Sequence, residues 1–393
     1  MKPKITITLT FLFIAALFGW LLRLAAAGYI SFNYKYFLHT HSHVALLGWV
    51  YNACIIITYE NVLKKTATKT GKWLFGLTQI SILGMLFSFP FQGYAFYSIL
   101  FSTLYIFISY GLIVAIYKRT RHFLSTSNCY LKWGGFYLFL SSIGPFALGY
   151  FMVKDMGNTI WYPLSIYWFL HFLFNGFFLF TIFGYVAKKA ETKTHRLKAL
   201  KRAFYWMNSS VIPLFALSVL WTNPHWCFYV IAGIGAILQV IALYELAAYR
   251  TLFNLENRWT KRILQLALIA YGLKLIFQVT GSFPVVQTFI NATIPFTVIG
   301  FIHLVMLGFF SLVLYGIFIK EKYMLLNALF KVGISLFILG IIGSEILLFG
   351  QGLSAYFFQY ALPNYSNLLL WVSSLLPLGI GLSLLGLLPK SSA

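Results

Sequence analysis

Acidic residues are scarce in this chain of 393 residues, which has 7 Asp and Glu against 29 Lys and Arg. Charged residues of both signs make up 9% of the chain, whereas 60% of the residues are hydrophobic. This composition excludes an ordinary soluble domain and is typical of a polytopic membrane protein. The formal charge of +22 would suggest a nucleic-acid partner for a soluble protein. Here we expect no nucleic acid, because the positions of the basic residues fit a membrane topology.

Cysteine is also rare, and the few cysteines form no recognisable motif. Cys54, Cys129 and Cys227 make neither a CxxC pair nor the CxxCH motif that attaches c-type haem. Disulfides and covalently attached haem are therefore not expected. The glycines form no nucleotide-binding fingerprint, and Gly233 with Gly235 is interpreted as a helix-packing pair.

Twelve hydrophobic segments are long enough to cross a bilayer. They follow one another closely, which predicts an all-α polytopic membrane protein with a single transmembrane domain over residues 1–393. The segments are 5–27, 37–59, 73–92, 95–117, 132–152, 160–187, 203–222, 226–248, 263–281, 290–318, 324–350 and 367–388. The first segment could instead be a signal peptide cleaved near Ala25–Ala27, but its length and the position of Arg23 favour a spanning helix.

Basic residues occur mainly in alternate loops, before the first segment and after each even-numbered one. They are Lys2, Lys4, Lys64, Lys65, Lys69, Lys72, Lys118, Arg119, Arg121, Lys188, Lys189, Lys193, Arg196, Lys198, Lys201, Arg202, Arg250, Arg258, Lys261, Arg262, Lys320, Lys322 and Lys390. The intervening loops contain only Lys35 and Lys154. By the positive-inside rule, this alternation predicts that both termini are cytoplasmic.

Five of the eight histidines lie within the second, sixth and tenth segments. An imidazole in a bilayer is costly unless it is paired, hydrated or bound to a metal. The five are His39, His41, His43, His171 and His303. At about 100° per residue, His39 and His43 share a helix face while His41 points the other way. The other three, which we expect to be solvated in loops, are His122, His195 and His225.

The predicted topology places the five buried histidines in one layer. Their three helices run from outside to inside, and a rise of about 1.5 Å per residue puts each imidazole roughly 5–20 Å below the outer surface. A hydrogen bond to a neighbouring helix could explain His171 by itself, but a shared layer favours common cofactor sites. Zinc would usually require cysteine or carboxylate ligands, which these helices lack near their histidines. All-imidazole ligation suits b-type haem or copper.

Residues His41–Trp49 (HSHVALLGW) resemble the H-x-H-x-x-L-x-G-[FW] signature on the second helix of the NnrS family. Members of that family are haem- and copper-containing membrane proteins of about this length with twelve helices. Ile302–Gly308 (IHLVMLG) resembles the later L-H-x-x-x-x-G helix of the same family. The histidine pair followed by Leu-Gly-Trp is also similar to the haem-ligand helix of cbb3-type oxidase catalytic subunits. His171–Leu179 (HFLFNGFFL) weakly resembles the copper-ligand helix of those subunits.

The resemblance implies a bundle like that of the haem–copper oxidases, in which helices two, six and ten occupy equivalent places. It implies haem b, with copper as a further option, in a bacterial inner membrane. His303 would pair with His41 or His43 across a low-spin haem. The other of that pair would hold a second haem, or copper together with His171. His39 would add a ligand or close the outer mouth of the site.

The sequence also departs from these families. The adjacent His-His pair of the oxidase copper site is absent from the seventh segment, whose polar group is Asn208, Ser209 and Ser210. Val44 stands where NnrS-type proteins commonly have glutamate. An oxygen-reducing haem–copper centre is therefore not expected, whereas haem binding is.

Four further charged residues fall within or next to the predicted helices. Arg23 could clamp a haem propionate, because a guanidinium suits a carboxylate bidentately, or it could snorkel to the interface. Lys274 shares a helix face with Gln278 and could bond carbonyls, snorkel, serve a proton path or contact a propionate. Glu345 could relay protons or be exposed at the interface. Glu245, near Arg250, is interpreted as structural.

Three functions remain open from the sequence. The first is a haem protein, with or without copper, that binds or turns over a diatomic gas such as nitric oxide or oxygen, in nitric oxide response or respiration. The second is an electron carrier or assembly factor without catalysis, whose electron donor is unknown. The third is a transporter of a transition metal or small solute, for which Pro295 and Gly300 before His303 could break a helix.

Overall fold

The computed structural model describes residues 2–63, 69–121, 125–192, 197–247 and 257–387. Those residues form helices and no β-strand, and twelve of the helices are long and apolar enough to cross a membrane. The twelve are α1 (Lys2–Ala26), α2 (Tyr34–Glu60), α3 (Lys69–Gln92), α4 (Phe96–Thr120), α5 (Thr126–Val153), α6 (Trp161–Glu191), α7 (Leu197–Thr222), α8 (Cys227–Ala247), α9 (Arg258–Gly281), α10 (Ile294–Lys320), α11 (Ala328–Phe357) and α12 (Tyr365–Leu385). A short helix, Pro284–Ala292, precedes α10. Each predicted segment overlaps one of the twelve, so the all-α polytopic fold is confirmed.

Some sequence predictions concern residues outside the described ranges. These are the solvation of His122 and His195, the place of Arg250 beside Glu245, and the basic residues Lys64, Lys65, Lys193, Arg196 and Lys390.

Polar side chains next to the helices fix several of their starts. The side chain of Asn33 accepts a hydrogen bond from the backbone N–H of Tyr36 at the start of α2. Ser125 caps α5 in the same way. Asn257 and Asn327 cap α9 and α11. Such caps bond backbone N–H groups that have no partner within the helix, typically stabilising a helix by about 1 kcal/mol.

The three histidine-bearing helices, α2, α6 and α10, form the centre of the bundle. Over an 18-residue stretch of each helix, 83% of the residues are buried in α2 and α6 and 67% in α10, against 28–44% in the other nine. The inner helices also contact one another: the Trp49 indole donates to Ser311 Oγ at 2.8 Å, and Phe174 packs against Phe310. The histidines therefore lie on helices shielded from lipid along most of their length.

Helix contacts repeat with threefold regularity. In each of the groups α1–α4, α5–α8 and α9–α12, the first and third helices pack against the second, and the fourth packs against the third. The fourth helix also contacts the first helix of the following group, and α12 closes the ring on α1. This pattern agrees with the equivalent places expected for helices two, six and ten.

A glutamate lies at the C-terminal end of each inner helix, although the chain has few acidic residues. Glu60 in α2 pairs with Lys4 at 3.1 Å, and Glu191 in α6 accepts a hydrogen bond from the backbone of Ser127 at 3.0 Å. Glu321, directly after α10, pairs with Lys189 at 2.8 Å. These contacts tie the ends of the inner helices to their neighbours.

Candidate functional site

Each inner helix changes from α-helical to π-helical geometry immediately after a histidine. The α-helical parts end at His43, His171 and His303. The π-helical parts that follow are Val44–Tyr51, Phe172–Phe178 and Leu304–Ser311. π-Helical turns are rare and occur frequently at functional sites. Their recurrence directly after three histidines indicates that these positions correspond to one another.

The same three segments share the pattern H-x-x-x-x-G-[WF], beginning at His43, His171 and His303. This repeat was missed in the sequence analysis, although aligning the three histidine segments with each other would have shown it. Each glycine allows an outer helix to approach closely. A Cβ added at Gly48 would lie 2.7 Å from Phe11 on α1, and one at Gly176 would lie 2.3 Å from Tyr137 on α5.

The third glycine, Gly308, obeys the same rule, because its added Cβ would lie 3.2 Å from Ala270 on α9. The helices that pack on the glycines are thus the first of each group of four. The threefold pattern therefore extends from the order of the helices to individual contacts beside each histidine.

His41 is held against α1 by a single hydrogen bond. Its Nδ1 lies 2.8 Å from the carbonyl oxygen of Ala15, and a Cβ added at Gly19 would lie 2.9 Å from the imidazole Cε1. A carbonyl can only accept, so Nδ1 carries the proton and Nε2 keeps a free lone pair. This is the arrangement in which a histidine binds a metal through Nε2.

His303 from α10 lies within electrostatic reach of His41 and of Arg23. It makes no hydrogen bond to the residues that the structure describes. Two imidazoles from different inner helices thus lie in one region beside a guanidinium.

Glu345 on α11 borders the same region. It interacts electrostatically with Arg23, as do Tyr34 and Tyr365. Both carboxylate oxygens are buried and have no hydrogen-bond partner among the described residues. The alternative that Glu345 is simply exposed at the interface is therefore wrong. Buried polar atoms usually have a hydrogen-bond partner. The unpartnered oxygens of Glu345 therefore mark this region as a place where a ligand or water could bind.

His39 and His43 share the opposite face of α2, as their spacing predicts. His43 Nδ1 lies 2.8 Å from the carbonyl oxygen of His39, and its Nε2 lies 3.4 Å from the hydroxyl of Tyr94. The His43 ring packs on Phe89, with ring centroids 4.5 Å apart, and the His39 ring meets Tyr94 edge-on at 4.5 Å. This face is an aromatic pocket against α3.

His171 is engaged through both ring nitrogens. Its Nε2 donates to the carbonyl oxygen of Val211 on α7 at 2.8 Å, and its Nδ1 lies 3.3 Å from Asn175 Nδ2. The imidazole therefore bonds a neighbouring helix and has no free lone pair for a metal. The described residues contain no group of three or more His, Cys, Asp and Glu side chains that could hold a metal ion.

Lys274 lies inside the bundle and does not snorkel. Its side chain is 2% exposed, and its Nζ donates to Gln278 Oε1 and to Gln239 Oε1, both at 3.0 Å. The contact with Gln278 follows from their shared helix face. Gln239 lies on α8, and no sequence pattern pointed to it.

The remaining predicted residues have simple surroundings. Glu245 is paired with Arg202 at 2.7 Å, which supports its structural interpretation. His225 is exposed in its turn, as expected.

No protein-family model matches this chain, and no curated protein matches its sequence. The resemblance to NnrS proteins and to oxidase subunits therefore depends on the motifs around His41, His171 and His303.

Proposed function

We propose that this integral membrane protein binds b-type haem through His41 and His303, and that it transfers electrons, or binds a diatomic gas at an iron that keeps an open position. The observation that supports this most directly is the approach of His41 and His303 from two inner helices to one region. His41 offers a free Nε2 there, and His303 has no competing hydrogen bond. Nitric oxide and oxygen are the gases that the sequence resemblance suggests.

The residues present fit a haem. Bound haem supplies an iron for electron transfer or gas binding, with imidazole as the common axial ligand in b-type proteins. Arg23 lies within electrostatic reach of both imidazoles, and a guanidinium binds carboxylates such as propionates bidentately. The Ala15 carbonyl keeps His41 in the tautomer that leaves Nε2 free, while Gly19 gives its ring room to approach α1.

Copper has less support than haem. His171 uses both nitrogens in hydrogen bonds, and His43 faces Tyr94 and Phe89 instead of His171. His43 also keeps no free lone pair, because its Nδ1 bonds the His39 carbonyl oxygen and its Nε2 lies 3.4 Å from the Tyr94 hydroxyl. The transporter alternative has less support still, since the helical backbone of α2, α6 and α10 is continuous within the bounds given above.

We infer from the alternating basic residues that both termini face the cytoplasm. The sequence resemblance suggests that the membrane is a bacterial inner membrane. The histidine layer then lies toward the outer side, and Glu60, Glu191 and Glu321 lie toward the cytoplasm.

The absorption spectrum of the purified full chain tests the haem proposal. We expect a Soret band and about one iron or more per chain by metal analysis. Carbon monoxide should shift the reduced spectrum if an iron has an open position, whereas a spectrum unchanged by carbon monoxide favours a closed electron carrier. Absence of any Soret band after expression with sufficient haem would exclude both haem functions.

Substitution of the histidines locates the site. We expect His303→Ala and His41→Ala each to lose most of the haem that gives the low-spin spectrum. His225→Ala is the matched control, because His225 is an exposed histidine in a turn, and it should keep all of its haem. Full haem content in both His303→Ala and His41→Ala would refute the assignment.

A further inference from the structure

Lys274 places its amino group in the interior of the bundle, and when that group is protonated it has no carboxylate partner among the described residues. The ion pairs among the described residues join Lys4, Lys189 and Arg202 to glutamates, and Lys274 takes part in none of them. An unpaired charge away from water is costly and usually requires a counter-ion or extensive hydrogen bonding.

The ammonium group of Lys274 has more N–H donors than it has acceptors. Its two acceptors are the side-chain oxygens of Gln239 and Gln278, whereas an ammonium has three N–H donors. The Nε2 amide of Gln239 is buried and has no partner among the described residues, and the Tyr271 hydroxyl is in the same state. The side chains of Gln239, Tyr271 and Lys274 are 0%, 1% and 2% exposed.

The side-chain amide of Gln239 and the ring of Tyr271 lie close to Lys274 Nζ. The Gln239 Oε1 accepts a hydrogen bond from Nζ at 3.0 Å, so the unpartnered Nε2 of the same amide is also near the ammonium. The ring of Tyr271, one turn before Lys274 on α9, has its centroid 5.3 Å from Nζ. His171 on α6 lies within electrostatic reach of Lys274, but it donates to Val211 and offers no negative charge.

From this cluster we propose that Lys274 and Gln239 bind a small monovalent inorganic anion of the chloride class between α8 and α9, beside the ring of Tyr271. Such an ion accepts several N–H and O–H donors at once and balances the ammonium charge. Water could accept some of these donors, but it would not neutralise the charge. The site is separate from His41 and His303, so it does not depend on the haem proposal.

Bromide is the probe for the test, because it is chemically close to chloride and easily quantified. The full chain in detergent micelles is moved into a gluconate buffer and dialysed against increasing sodium bromide at constant ionic strength. Mass spectrometry then measures the bromide bound per chain. We expect one saturable site per chain, from which chloride displaces bromide.

Two variants tie the binding to the cluster. Lys274→Met should lose the saturable bromide. Gln239→Leu retains Lys274 but removes the amide donor together with the Oε1 that accepts from Lys274. It should bind bromide at least about tenfold more weakly, as expected for loss of a hydrogen bond to a charged group. Lys132→Met is the matched control, since Lys132 is a partly exposed lysine on α5, and it should bind bromide like the unmodified chain.

The proposal is overturned by the absence of saturable bromide binding in the unmodified chain, or by unchanged affinity in Lys274→Met. Size-exclusion profiles and thermal unfolding show whether each variant is folded. If Lys274→Met does not fold, Gln239→Leu provides the test. A bromide affinity of Gln239→Leu equal to that of the unmodified chain then refutes the site.

Discussion

The carbonyl oxygens beside the buried histidines decide what each imidazole can do. Ala15 accepts from Nδ1 of His41 and leaves Nε2 free, whereas Val211 accepts from Nε2 of His171. Asn175 then engages the remaining nitrogen of His171. The same residue type is therefore a candidate ligand on α2 and a helix-packing contact on α6, and the bonded nitrogen makes the difference.

Glu321, directly after α10, is expected to have a pH-dependent role in stability. Burial alone would raise the pKa of Glu321, but hydrogen bonds from Lys189 and Tyr185 outweigh it and hold that pKa below its ordinary value. A carboxylate whose pKa is depressed by folding stabilises the folded state above its unfolded pKa, about 4.3. That contribution is lost as the pH falls through the lower, folded pKa.

We therefore expect Glu321→Gln to lower the free energy of unfolding by about 1–2 kcal/mol at pH 7, the order expected for hydrogen bonds to a charged group. The difference from the unmodified chain should shrink as the pH falls below the unfolded pKa of about 4.3 and then through the lower pKa that Glu321 has in the folded state. Thermal unfolding in detergent across this pH range measures both. Asp155→Asn, at an exposed loop position, is the control and should change little. A difference that stays constant from pH 7 to the acid limit would contradict this role.

At the scale of helices, the glycine five residues after each histidine sets how closely an outer helix approaches. The π-helical backbone and the glycine occur together in α2, α6 and α10, next to α1, α5 and α9 respectively. Small residues at helix crossings permit close backbone packing in membranes, where lipid tails weaken the hydrophobic force between helices.

Gly176→Ala tests this contact. The added methyl group would lie 2.3 Å from Tyr137 Cβ, so α5 and α6 must move apart. We expect a loss of about 1–3 kcal/mol in unfolding free energy, as for other overpacked sites. Gly149→Ala on α5 is the matched control, because its added methyl group meets no atom within 4 Å. Stability of the purified variants in a denaturing detergent gives the comparison, and equal stability of the two would rule out the close contact.

For the whole molecule, the threefold order of contacts accounts for the burial of α2, α6 and α10. Each is the second helix of its group and is covered by the first and third. If each of the twelve helices crosses the membrane, the even-numbered helices run in one direction, so all three histidine positions lie near one side.

The orientation can be tested with reporter fusions. We expect alkaline phosphatase fused after Gly157, between α5 and α6, to be active, because the proposed topology places that loop outside. Green fluorescent protein fused after Lys322, between α10 and α11, should fluoresce, because the proposed topology places that loop in the cytoplasm. The exchanged fusions serve as controls, and activity in the reverse pattern would mean that the basic loops face outward.

The twelve helices and the two opposite histidine faces of α2 could be predicted from the sequence. In a bilayer each segment must satisfy its own backbone hydrogen bonds, so an apolar run of sufficient length forms a helix whatever its neighbours are. The same local geometry places His41 on the opposite face of α2 from His39 and His43. It also places Lys274 and Gln278, four residues apart, on one face of α9. The glycine repeat was also present in the sequence, although it becomes clear only when the three inner helices are compared.

Contacts between helices far apart in the chain needed the tertiary structure. The pairing of Lys274 with Gln239 joins α9 to α8, and the carbonyls of Ala15 and Val211 reach imidazoles on other helices. Helix formation depends on neighbours along the chain, whereas these contacts depend on which faces pack together after twelve helices assemble. The sequence alone therefore determined a membrane bundle with histidines at its core, and packing decided which histidines keep a free nitrogen.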